Sequence, residues 1–157
     1  MSRDIVRERF VERMGSALSD AGLPRLPARV FSALLVDDDG RMSASELAEV
    51  LGVSAGSISG AVKYLTQLSM IRRERERGSR RDAFVVDDDA WYEAMMRRDS
   101  VYAPMIAALG PAIQSLGRSP ARQRLVMTQE FLEFIDNEMT ALGRKWDRHR
   151  RKLERNR

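Results

Sequence analysis

Residues 72–81 read RRERERGSRR, six arginines and two glutamates, and their local charge of +4 equals the net charge of the whole chain. The excess positive charge is therefore concentrated and not spread. Guanidinium forks clustered at a Gly-Ser turn suit the phosphate oxygens of a nucleic-acid backbone, which bind such groups in bidentate fashion and release counterions. Arg80 and Arg81 follow the turn with no carboxylate before Asp82, so they are expected to contact phosphate or to enter a minor groove. Arg72, Arg73, Arg75 and Arg77 stand among Glu74 and Glu76 and read equally well as a solvated strand face. Arg73 and Arg75 are kept as candidate DNA contacts.

Other chemistry finds few residues to carry it. The chain has no cysteine, which removes disulfides, thiolate nucleophiles and zinc-thiolate sites. Its one histidine, His149, lies in a basic tail without a carboxylate constellation, and no phosphate-binding glycine loop is present. Two aspartate triplets, 37–39 and 87–89, lack the spaced oxygens of a calcium loop and read as turn and helix-start residues. No catalytic residue, metal site or cofactor is expected, and an enzyme is not. The first ten residues carry charge from position three, and no apolar run approaches membrane-spanning length. A cytoplasmic protein that does not touch a membrane is the expectation, and the sequence pI of about 9.9 points to a polyanionic partner.

The arginine cluster must be held by a scaffold, and the periodicity supplies one. Over residues 3–22, Val6, Phe10, Met14, Ala17 and Ala21 recur at helical spacing, with Val11 and Leu18 widening the stripe. Gly22 and Pro24 stop this helix, and Pro27 is expected to open the next, which ends before the turn at residues 37–40. Ser43 and Glu46 have capping-box spacing. The short helix they start ends at Gly52, and Ser54 is placed to cap another running to about Leu68. Two short helices joined by a tight glycine turn form a helix-turn-helix.

In the second of these helices Ile58, Ala61, Val62 and Leu65 fall on the inward face, with Gly56, Gly60, Lys63 and Gln67 opposite. The first two turns lack the arginine, asparagine and glutamine that read bases best. Ser54, Ser57, Ser59, Gly60 and Lys63 remain as candidate contacts, with Gln67 far along the helix. Residues 72–81 and 83–86 then read as two strands with a hairpin tip between them. A long helix is expected from about Ala90, kinked or broken at Pro104 and Pro111, and Ser119-Pro120 starts a final helix through Phe131 and Trp146. Residues 144–157 carry eight basic and two acidic residues, a second DNA anchor or the frayed end of a dimer helix.

This order of elements resembles the MarR family of bacterial repressors, and within it the GbsR-like branch. The residues that carry the resemblance are Ser43-Ala44-Ser45-Glu46-Leu47-Ala48, Leu51-Gly52-Val53-Ser54, Ser57-Ile58-Ser59 and Gly78-Ser79-Arg80-Arg81-Asp82-Ala83-Phe84. The resemblance covers nearly the whole chain. It implies a mainly α winged helix-turn-helix with a small β-hairpin wing, as a single fold over residues 1–157. Residues 24–88 would form the DNA-binding region, and 1–23 and 89–157 the dimerisation helices. It further implies a homodimer on palindromic double-stranded DNA, repression, and release by a small effector. Where many members have a wing aspartate this chain has Ser79, so an aspartate–arginine pair that stiffens the wing would be missing. Phe10, Met14, Trp91 and Met95 are candidate pocket residues for an apolar or aromatic effector, with core or dimer packing as the competing account. Two other functions compete, a sequence-tolerant nucleoid protein and a winged-helix interaction scaffold that never meets DNA.

Overall fold

The structure is a computed structural model that describes residues 2–75, 78, 80–96 and 99–156. The chain divides into two compact units, Met1–Glu93 and Ala94–Arg157. The first unit opens with α1 (Arg3–Asp20) and α2 (Arg25–Val36), followed by β1 (Arg41–Ser43), α3 (Ala44–Leu51), α4 (Ala55–Gln67), β2 (Arg72–Arg75) and β3 (Asp82–Val85). Next comes α5 (Ala90–Met96), and α6 (Asp99–Ser115) and α7 (Pro120–Arg155) lie in the second unit. The fold is mainly helical with one small sheet.

α2 is the centre of the first unit and packs against α1, α3 and α4. Its Val30, Phe31 and Leu34 are fully buried with Leu47 of α3 and Ile58 and Leu65 of α4. The one buried polar side chain among the described residues, Ser32, donates from Oγ to the Ala28 carbonyl at 2.8 Å, so its burial costs little. Phe31 also meets Trp91 edge to face, with ring centroids 5.3 Å apart. α2 begins at Arg25 with Pro24 as its N-cap, two residues before the expected Pro27. Proline is compatible with the first turn, where backbone N–H groups have no intrahelical partner, so Pro27 marks that turn and not its first residue.

α1 buries only Val11, Gly15 and Leu18. The central line of its apolar stripe lies elsewhere: Val6 is exposed, and Phe10 and Met14 are half-buried. Gly15 is set by a close approach, since a Cβ there would stand 3.1 Å from Cγ of Arg29. That arginine ties three helices, donating to Glu12 Oε1 of α1 at 2.8 Å and to the Leu51 carbonyl of α3 at 3.4 Å.

The sheet has three strands in the order β1-β3-β2, all antiparallel. β1 is absent from the sequence reading, which expects a two-stranded hairpin. It is three residues long and pairs Arg41 with Val85 and Ser43 with Ala83. The turn before it is held by Asp37, whose Oδ2 accepts from the amides of Asp39 and Arg41, and by Gly40 at φ +60°.

α7 starts as its Ser-Pro signature predicts, with Ser119 Oγ accepting from the Arg122 amide at 3.2 Å. Pro104 and Pro111 do not end a helix. Both lie inside α6. α6 packs on α7, yet α7 buries only Gly143, while Met127 (69% exposed), Phe131 and Phe134 (both 60%) face outward.

Candidate nucleic-acid interface

The local chemistry of α3 and α4 follows their caps. Ser43 Oγ accepts from the Glu46 amide at 3.2 Å, and Glu46 accepts from the Ser43 amide at 2.6 Å, which closes the capping box. The Ser43 amide and then its hydroxyl hold the Glu46 carboxyl below its ordinary range, and nearby Arg81 adds to the effect. Gly52 ends α3 in the left-handed region at φ +65°, where a side chain would be strained. Ser54 Oγ accepts from the Ser57 amide at 3.2 Å and lies 2.8 Å from Ser57 Oγ. Ser54 and Ser57 are thus engaged in starting α4 before any ligand arrives.

With these ends fixed, α4 buries Ile58, Ala61, Val62 and Leu65, as the sequence phase predicts, and exposes Gly56, Ser59, Gly60, Lys63 and Gln67. A Cβ at Gly56 or Gly60 would meet nothing within 4 Å. Packing within the chain therefore does not demand glycine at either position.

Between α4, the N-terminus of α3 and the β2–β3 hairpin runs a groove of about 780 Å³. Ser59, Lys63, Arg73 and Arg81 line it, four of the nine DNA contacts expected from sequence. Ser43, Ser45, Thr66, Gln67 and Asp82 line it too, and none was among those candidates. Gln67 was set aside as too far along the helix, yet it stands one turn beyond Lys63 on the same face and reaches the groove. Three cations against one carboxylate, Asp82, leave the groove positive. It is bounded by a helix on one side and a hairpin on the other.

The hairpin neutralises part of its own charge. Arg72 pairs with Asp87 at 2.8 Å and with Glu74, and Glu74 also receives Arg41 of β1 at 2.6 Å. Bonds to Asp87 and then Glu74 raise the Arg72 pKa above its ordinary value. Arg73 pairs with Asp82 across the hairpin, and this bond holds the Asp82 carboxyl below its ordinary range. Among the described residues Glu74 thus pairs with Arg72, and Arg73 pairs with Asp82. Arg75 and Arg80 form no ion pair among the described residues. Glu76, Arg77 and Ser79 lie outside the described residues.

The four effector candidates fall on α1 and α5. Trp91 packs on Phe31 in the first unit, Phe10 and Met14 are half-buried on α1, and Met95 is half exposed in the second unit. Among the described residues no cluster of His, Asp and Glu could hold a metal ion, and no helix is long and apolar enough to cross a membrane.

Comparison with known proteins places these features. A family model described as MarR family matches residues 21–82, and one described as MmpR5-like MarR family transcriptional regulator matches residues 89–149. The HTH-type transcriptional regulator MmpR5 of Mycobacterium tuberculosis is 33% identical over 138 residues, which cover 86% of this chain and 84% of that protein. A crystal structure titled as a transcriptional regulator aligns with a TM-score of 0.80 at 28% identity, over 90% of this chain and 98% of the other. The order of helices, the antiparallel wing and the positive groove agree with these matches: the chain belongs to the MarR family of DNA-binding transcriptional regulators and is similar to its MmpR5-like members.

Proposed function

We propose that the chain acts as a homodimeric repressor on an inverted-repeat operator, without catalysis and in the cytoplasm. α4 enters the major groove with Lys63 at a base edge, Arg75 and Arg80 on the wing meet the flanking backbone or minor groove, and Arg73 and Arg81 along the concave groove meet phosphates. That groove is the observation that carries the reading: it gathers three cations from a helix and a hairpin onto one concave surface. Ser54, Ser57, Ser59, Gly60 and Gln67 then lie along the base-facing side, where the two glycines of α4 permit close approach.

The dimer rests on surface that this chain leaves uncovered. Phe131, Phe134 and Met127 of α7, together with the Val6 line of α1, are apolar and outward, and a second copy would cover both by two-fold symmetry. α1 and the helices after residue 89 are the proposed dimerisation elements. Within the family we place the chain with the MmpR5-like regulators, on the match over residues 89–149, and not with the GbsR-like branch. Release by a small apolar or aromatic effector near Phe10, Met14, Trp91 and Met95 completes the proposal.

Two substitutions separate this reading from its rivals. Arg80→Ala removes a phosphate contact, so the slope of log affinity against log salt falls by about 0.9 on any duplex. Lys63→Ala, at a base edge, relaxes preference at one position by ~1–3 kcal/mol. Equal losses on preferred and random DNA would favour a nucleoid protein, and no binding to either would favour a scaffold.

A further inference from the structure

We propose that the cleft between α1, α2 and α3 is a binding site for an amphiphilic organic cation, a quaternary ammonium or phosphonium with an apolar body. The cleft lies wholly within the first unit, on different residues from the positive groove, and encloses about 520 Å³. That is within the range of small-molecule sites. The inference does not depend on how the chain binds DNA.

Its floor is apolar. Val11, Ala33 and Leu51 are buried there, Val36 and Met42 are half-buried, and Val50 is 59% exposed although it belongs to the same short helix as the fully buried Leu47. A ligand with a hydrocarbon body would remove the remaining apolar surface of Val36, Met42 and Val50 from water.

Its rim is negative on a chain whose net charge is +4. Five carboxylates face two arginines around the cleft. Both arginines are already committed, Arg7 to Asp38 at 2.8 Å and Arg29 to Glu12 at 2.8 Å. Glu8 and Glu49 form no ion pair among the described residues. One helix end adds to this field: the C-terminus of α2, at Val36 and Asp37, borders the cleft, and that helix has no basic residue in its last turn. A helix C-terminus carries roughly half a negative charge on its orphan carbonyls and favours a cation within about a turn.

These features select among ligands. Phosphates and carboxylates would meet Glu8, Glu49 and the C-terminus of α2, while both arginines are committed to carboxylates. A bare metal ion needs converging carboxylates, which are absent among the described residues, and gains nothing from the floor. A quaternary cation needs no hydrogen bonds, is weakly hydrated, and uses both the apolar floor and the negative rim. The site also stays compatible with a dimer. The cleft takes Asp4, Glu8 and Val11 of α1, whereas the uncovered Val6, Phe10, Met14 line lies about 120° around the helix.

Tetraphenylphosphonium titrated into the full chain, followed by calorimetry, tests the assignment. The expected result is saturable binding with one site per chain, and at least tenfold weaker binding of triphenylphosphine oxide, which offers similar rings without the charge. Glu8→Gln combined with Glu49→Gln should weaken the cation about tenfold, as loss of two nearby charges requires. Val50→Lys, an exposed change that places a competing ammonium on the floor, should weaken it at least as much. Absence of binding, equal affinity for the neutral analogue, or unchanged affinity in both variants would overturn the proposal. Circular dichroism melting of each variant shows that the fold is intact.

Discussion

Replacing Asp82 by asparagine should make this protein bind DNA more tightly without changing its preference among sequences. Asp82 is the one carboxylate lining the positive groove, and it holds Arg73 across the hairpin. While that bond persists, one of the groove's three cations is neutralised before DNA arrives. The substitution keeps the side-chain shape and removes the charge, so Arg73 becomes available to a phosphate. One added phosphate contact steepens the slope of log affinity against log salt by about 0.9. At about 0.15 M salt the same relation gives roughly fivefold tighter binding. The gain should appear on random and preferred duplexes alike, because phosphates carry no sequence information. Fluorescence anisotropy with a labelled duplex, at four salt concentrations, measures affinity and slope together. Loss of a nearby negative charge would raise affinity a little by itself, so Arg73→Ala is combined with Asp82→Asn in a double-mutant cycle. The gain must vanish in the double variant. An unchanged slope, or a gain that survives without Arg73, would refute the idea that Asp82 withholds Arg73 from DNA.

Phe31→Ala should cost about 3–5 kcal/mol of stability, since the ring is fully buried and supports Trp91 at 5.3 Å; chemical denaturation measures the loss, and the Trp91 emission should shift in the folded state. Acid should loosen the wing and the α3 cap together. The carboxyls of Glu46, Glu74 and Asp82 are all held below their ordinary values by bonds to Ser43, Arg72 and Arg73 respectively. Groups depressed in the folded state contribute fully above their unfolded pKa, near 4, and lose that contribution as the pH falls through their lower folded values. The contribution of these groups should therefore be flat from pH 8 to about 5 and decline below about 4; a hydrogen-exchange series on β2 and β3 that loses protection near pH 6 would contradict this assignment. Phe131→Asp, at a position 60% exposed in the single chain, should leave each chain folded and shift sedimentation from dimer to monomer.

The parts of this fold that the sequence reveals are those whose chemistry is local. The Ser43–Glu46 box, the Ser54 cap and the Ser119-Pro120 start each depend on residues three or four apart, and each forms as read. The inward phase of α4 is legible for the same reason. β1 is not, because a strand of three residues has no periodicity, and its formation depends on β3 forty residues later. Of the two outcomes expected at Pro104 and Pro111, a kink or a break, the break does not occur: a proline forfeits one backbone donor, but neither here stops the helix. In α1 periodicity finds the apolar residues without deciding which of two adjacent faces meets α2. The answer turns on Gly15, which lets Arg29 approach.

The site was legible in composition but not in pairing. The arginine run marks a positively charged hairpin. Which arginines remain available depends on register, since pairing Arg73 with Phe84 puts Asp82, and not Glu74, diagonally beside it on the same face. Gln67 was visible on the correct helix face, yet its distance from the helix start concealed that the wing brings the groove to it.

The central claim is that two copies of this chain present α4 and the wing to one operator, and selection of bound duplexes from a random pool, followed by footprinting, tests it most directly. The account predicts an enriched inverted repeat with half-sites about 10 base pairs apart, centre to centre, protected symmetrically on both strands. Enrichment of a single unrepeated site, or no enrichment at all over random DNA, would contradict it.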